Sequence, residues 1–183
     1  MVRGLIGSVG SGLAALLMAT GCSSSPAPPS WAPALGAGVT VQAPAQASPG
    51  HGSPAAAIEG YARLLDAKDL AGLCTYFQPS MQAQCTEDVS AITPSGKASM
   101  STIQNLSPGY IAIDNDKALV GYTGKSCQTS GCTKNTDPAA IFATNRSPFA
   151  TLLATELKAS NSNAYGLIPC VEVNGKWYID LTG

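Results

Sequence analysis

Histidine is almost absent from this chain, with a single residue, His51, among 183. Catalytic triads that need an imidazole base, and zinc sites that need paired imidazoles, therefore have little to draw on, since His51 has no Asp, Glu, His or Cys at ligand spacing beside it. Charge is scarce as well. Asp, Glu, Lys and Arg make up 11% of the residues and the formal net charge is -1, less than half of the roughly 25% usual in soluble domains. The basic residues Lys97, Lys117, Lys125, Lys134, Arg146, Lys158 and Lys176 are interspersed with acids, so no basic patch is available for nucleic acid. No apolar run reaches the roughly 20 residues of a membrane-spanning helix. No Cys-x-x-Cys pair occurs, and the one glycine-rich string, Gly7 to Gly12, lies in an apolar N-terminal stretch without the strand, loop and helix that would make it a phosphate cradle.

What is present begins with an export pattern. Arg3 precedes an apolar stretch from Leu5 to Met18, which leads through small residues to Ala19-Thr20-Gly21-Cys22. That tetrapeptide resembles the lipobox of bacterial lipoproteins, with Ala19 where a larger aliphatic residue is usual. The resemblance implies a signal peptide over 1–21 and cleavage before Cys22. It also implies lipid on the Cys22 sulfur and a mature protein held on the extracytoplasmic face of the cell membrane. The alternative is an ordinary secretory signal cut between Met18 and Ser25. Residues 22–54 are rich in Pro, Ala, Gly and Ser, and are expected to form a tether that holds the domain tens of ångströms off the membrane, with Trp31 and His51 as solvated tether residues. Charge marks the boundary, because nine of the ten basic residues and all eleven acidic ones lie from Glu59 onward.

The domain expected over 55–183 starts with a helix signal, Ser53-Pro54, in which the Ser oxygen caps and Pro fits the first turn. Ile58, Tyr61, Leu64, Leu65 and Leu70 then recur at helical spacing. Asp69 is placed to cap a second short helix through Leu73 and Phe77. Pro79 separates it from a third run over Ser80 to Ile92, and Thr93-Pro94-Ser95-Gly96 closes the helical half. Strands are expected around Ser101 to Leu106, Tyr110 to Ile113 and Ala118 to Thr123, with Asp114-Asn115-Asp116 as the turn between the last two. A second hairpin is expected over Leu167 to Leu181 about Asn174-Gly175, which accepts the left-handed backbone of a tight turn. Between the hairpins, Cys127 to Asn163 reads as a polar loop and a helix from Pro148 to Lys158.

This α+β order, together with the Ala57-Ile58-Glu59-Gly60-Tyr61-Ala62-Arg63-Leu64-Leu65 helix, the Lys68-Asp69 break and the Val171-Glu172-Val173-Asn174-Gly175-Lys176-Trp177-Tyr178-Ile179-Asp180 hairpin, resembles the nuclear transport factor 2-like superfamily, as found in actinobacterial lipoproteins and secreted domains. The resemblance implies N-terminal helices packed on a curved antiparallel sheet, forming a cone with a cavity. Cavity candidates are Tyr61, Leu65, Phe77, Tyr110, Tyr122 and Trp177, with Phe149 and Tyr178 as further residues to follow. The expected role is a non-catalytic module that binds a small apolar ligand or an envelope protein, with no cofactor, no metal and no nucleic acid. Two alternatives are an accessory lipoprotein of cell-wall synthesis or transport and a hydrolase or isomerase using a cavity carboxylate and tyrosine. The enzyme reading draws on Tyr61, Asp66, Tyr110, Asp114, Tyr122 and Asp180.

Setting Cys22 aside leaves five cysteines for an oxidising compartment. Cys74 and Cys85 lie on helices joined at Pro79 and suit a disulfide. Cys127 and Cys132 enclose a short loop that a second could close, with Cys170 as an alternative partner for either.

Overall fold

A computed structural model describes residues 27–44, 47–100, 102–128, 130–134, 138–158 and 166–182. The expected export signal over 1–21 and Cys22 lie outside these residues. Within them the chain forms an α+β unit of six helices and one open antiparallel sheet of six strands.

Strand β1, Thr40–Gln42, precedes helices α1, Pro54–Asp66, α2, Leu70–Cys74, α3, Pro79–Ser90, and α4, Pro94–Ser99. The caps are those the sequence suggests. Ser53 accepts from the Ala56 N–H at the start of α1, and Asp69 accepts from the Gly72 N–H at the start of α2. Thr93-Pro94 starts α4 instead of ending the helical half, because the Thr93 hydroxyl accepts from the Gly96 N–H and Pro occupies the first turn. Cys74 and Cys85 are joined as a disulfide, tying α2 to α3.

Strands β2, Thr102–Asp114, and β3, Lys117–Gln128, form a long hairpin. The sequence suggests separate strands around Ser101 to Leu106 and Tyr110 to Ile113, where β2 is one strand running through Ser107-Pro108-Gly109. The chain passes through it with register shifts between Gln104 and Ser107 and between Pro108 and Ile111, and bulges of this kind accommodate proline and bend the strand. Gly124 faces the first bulge so closely that an added Cβ would lie 3.0 Å from the Gln104 carbonyl oxygen.

Cys127 to Lys134 is not a polar loop. It completes β3 and turns into β4, Gly131–Lys134, with a disulfide between the paired residues Cys127 and Cys132. Helices α5, Pro138–Asn145, and α6, Phe149–Lys158, follow, then β5, Leu167–Val173, and β6, Lys176–Ile179. Asn174 and Gly175 both take positive φ, as their tight turn requires. Both β4 and β5 pair antiparallel with β3 on the side away from β2, β4 opposite Lys125 to Gln128 and β5 opposite Lys117 to Gly121. They are two parts of one strand path, and α5 and α6 are carried on an excursion between them.

The sheet order is β1-β2-β3-β5-β6, and both faces are covered. Ile111, Ala118, Val120, Tyr122, Ile168, Cys170, Trp177 and Ile179 point to the side of α1 and α2, where they meet Ile58, Leu65, Leu73 and Phe77. The intervening residues Ala112, Leu119 and Leu167 point the other way, against Phe142 of α5 and Phe149 and Leu152 of α6. This is the period-two alternation of a sheet buried on both sides. Gly60 permits the close approach on the first face, because a side chain there would run into the Tyr76 ring.

The N-terminal segment departs most from expectation. Trp31 is 8% exposed and Leu35 3%; both belong to the second core, around a 3-10 turn over Ala32–Leu35. Strand β1 pairs with Gln42 opposite Ile111 at the edge of the sheet. His51 stacks on Tyr76 and packs against Tyr178, both at 4.7 Å between centroids, and its Nδ1 lies 2.8 Å from the Trp177 carbonyl oxygen. Residues 27–44 and 47–53 are thus part of the fold and not a solvated tether. A Pro, Ala and Gly composition hides this, because one buried Trp contributes roughly 150–250 Å² of contact regardless of its neighbours.

Candidate functional site

Five of the six cavity candidates lie on the first face of the sheet. Leu65, Phe77, Tyr122 and Trp177 are buried in that core and Tyr61 is packed against it. Tyr61 meets Phe77 edge-on at 5.7 Å. Its hydroxyl is pushed above the ordinary tyrosine range, first by burial and then by Tyr122 nearby. Tyr110 falls on the opposite face with Trp31, their rings perpendicular and 5.3 Å apart. Phe149 also belongs to that second core, whereas Tyr178 packs against His51.

The ionisable candidates divide in the same way. Asp180 is 1% exposed, and its carboxylate pairs with the Lys117 ammonium at 3.1 Å. It also accepts from Gln78 Nε2, from the Thr182 N–H and from the Thr182 hydroxyl. These contacts join the α2–α3 connection, the start of β3 and the C-terminal segment, so Asp180 acts as a latch. Asp114 accepts from the Asn115 side chain in the β2–β3 turn. Cys170 is a free thiol with no exposure. Burial, with the Asp180 charge as a second cause, raises its pKa far above the ordinary thiol range and keeps it protonated and inert.

Open space lies elsewhere, in a cleft of about 290 Å³ between the C-terminal half of α1 and the first bulge of β2. Glu59, Arg63 and Asp66 recur at intervals of four and three along α1, which places them on one face of the helix. Asn105 and Leu106 of the bulge line the other wall, with Ala62 and Pro49 completing it. Asn105 holds a left-handed backbone with φ of 52°, a conformation that asparagine tolerates better than most residues. Glu59 accepts from the Ala47 N–H at 3.1 Å, fastening the segment before α1 to the helix. Two carboxylates, a guanidinium and an amide thus surround one cleft, offering both hydrogen-bond donors and acceptors.

Of the site candidates named from the sequence, Asp66 alone lines this cleft. Glu59 and Arg63 enter there only as part of the Ala57 to Leu65 helix, although their spacing with Asp66 was a usable signal. Asn105 carried none, because a bulge is created by pairing with β3. Among the described residues no group of three or more His, Cys, Asp or Glu is placed to hold a metal ion, and no helix is long and apolar enough to cross a membrane. Compared with protein-family models, curated proteins and solved structures, the chain matches none.

Proposed function

We propose that this chain is a lipid-anchored extracytoplasmic binding module, related in architecture to nuclear transport factor 2-like domains, that takes a small polar ligand in the cleft between α1 and the β2 bulge. The observation that carries the reading is the contrast between that cleft and the candidate cone cavity. Tyr61, Leu65, Phe77, Tyr122 and Trp177 pack together as core, whereas Glu59, Arg63, Asp66 and Asn105 surround open space. A ligand with a positive and a negative group close together suits this set, since the carboxylates accept from an ammonium and the guanidinium donates to a carboxylate.

The anchor rests on the Ala19-Thr20-Gly21-Cys22 motif and its upstream apolar stretch. The two disulfides fit an oxidising, extracytoplasmic compartment. The non-catalytic reading is supported by the engagement of Asp180 as a latch and by the burial of the Tyr61 ring.

The test is a titration of the isotope-labelled chain with a panel of amino acids, dipeptides and N-acetylated amino sugars, followed by amide chemical shifts. Saturable shifts clustered at Glu59, Arg63 and Asn105, and lost in Arg63→Ala, are expected. Shifts centred on Tyr61, Tyr122 and Trp177 would place the ligand in a cone cavity and overturn the cleft, and turnover of a probe would return the carboxylate-based enzyme.

A further inference from the structure

The lipid-anchor reading, on which the following rests, sets a short distance between membrane and fold. Ala27, the first described residue, lies five positions after Cys22. At no more than about 3.3–3.6 Å per residue, a fully extended chain spans about 17 Å over that interval. The sequence suggests a tether of some thirty residues, but Trp31 is already inside the second core. A lipid on Cys22 therefore holds the N-terminal edge of the sheet beside the headgroup layer, which is itself several ångströms deep.

The surface at that edge has a definite character. Ala27, Pro28 and Pro29 form one wall of a groove of about 290 Å³, with Val41, Gln42 and Ala43 of the β1 region and Tyr110 of β2 forming the rest. None of these residues is charged, and no Asp, Glu, Lys or Arg occurs anywhere from Gly4 to Ile58. Ala27, Pro28, Gln42 and Ala43 are exposed, while Tyr110 is half-buried against Trp31. An uncharged edge with a tyrosine in it suits the boundary between lipid headgroups and acyl chains, where amphipathic rings are favoured and an acidic surface would be repelled by anionic lipid.

We infer that the groove formed by Ala27–Pro29, β1 and Tyr110 is a membrane-docking face, seated on the lipid headgroup layer by the four residues that separate it from Cys22. The domain is then oriented, with β1 toward the bilayer and β6, at the far edge of the sheet, away from it.

The experiment uses the full chain, processed in a bacterial host, recovered from membranes and reconstituted into vesicles of phosphatidylethanolamine and phosphatidylglycerol. A fluorophore is attached at Gln42→Cys on β1 or at Gln84→Cys on α3, both exposed positions. Four native cysteines are in disulfides and Cys170 is fully buried, so the introduced thiol takes the label. Quenching by headgroup-labelled lipid is expected to be severalfold stronger at position 42 than at 84. Equal quenching at the two positions in a chain whose intact mass includes the lipid would overturn the docking face and leave the anchor standing. Concentration-dependent self-association through position 42, without lipid quenching, would assign the groove to a second copy and also overturn it. An unlipidated mass would remove anchor and docking face together.

Discussion

The indole of Trp31 lies on the ring of Phe142 with 4.9 Å between centroids and 11° between planes. This stack joins the N-terminal segment to helix α5 across the second face of the sheet, so the start of the fold and the excursion between β4 and β5 depend on each other. Trp31→Ala is expected to cost about 3–5 kcal/mol, the usual range for deleting a buried aromatic side chain. Chemical denaturation measures it, and a change within about 0.5 kcal/mol, the range of surface substitutions, would mean that residues 27–35 are peripheral.

Asp180 should be the most sensitive charged position. Its carboxylate is buried against Lys117, Gln78 and Thr182. Asp180→Ala leaves those donors unmatched and is expected to cost about 1–3 kcal/mol, the range for hydrogen-bonding groups left without a partner, because the 35% exposed Lys117 can turn to solvent. Asp180→Asn retains the shape and part of the hydrogen bonding and should cost less. Denaturation midpoints of the two variants, compared in one buffer, order them.

The two disulfides differ in what they hold. Cys74–Cys85 closes a span of 11 residues, for which loop-closure entropy suggests about 3 kcal/mol. Cys127–Cys132 closes a span of 5 on the exposed β3–β4 hairpin, worth about 2 kcal/mol on the same basis. Replacing both cysteines of the first pair by Ser should therefore lower the melting temperature more than replacing both of the second, as read by calorimetry.

Alkaline pH should destabilise the fold through Cys170. Burial raises its pKa in the folded state, so above the ordinary thiol value of about 8.5 the unfolded chain loses a proton that the native chain keeps. Stability attributable to this group is full below that pH and falls as pH rises, by about 1.4 kcal/mol per unit. Tyr61, also raised by burial, adds a second decline above the ordinary tyrosine value of about 10. Urea unfolding from pH 8 to 10 should show a downward slope that Cys170→Ala flattens; an unchanged slope would place its origin elsewhere.

Local signals were legible in the sequence where the physics is local. The Ser53 and Asp69 caps, the Asn174-Gly175 turn and the amphipathic α1 are written in a few adjacent residues. The strand path through Ser107-Pro108-Gly109 was not, since its bulges exist only in pairing with β3. Nor was the packing of Trp31 or His51, because their partners Phe142, Tyr110, Tyr76 and Tyr178 lie far along the chain. The cleft was half legible, with three charges on one helical face and the opposing wall set by tertiary pairing.

Anchoring at Cys22 is the premise from which the orientation of the domain and its docking on the membrane follow. Intact mass spectrometry of the membrane fraction, comparing the wild-type chain with Cys22→Ala, tests it directly. A chain beginning at Cys22 with the added mass of a diacylglyceryl group, absent in the variant, is the expected result. A soluble, unmodified chain cut at another position would contradict it and leave a freely secreted domain.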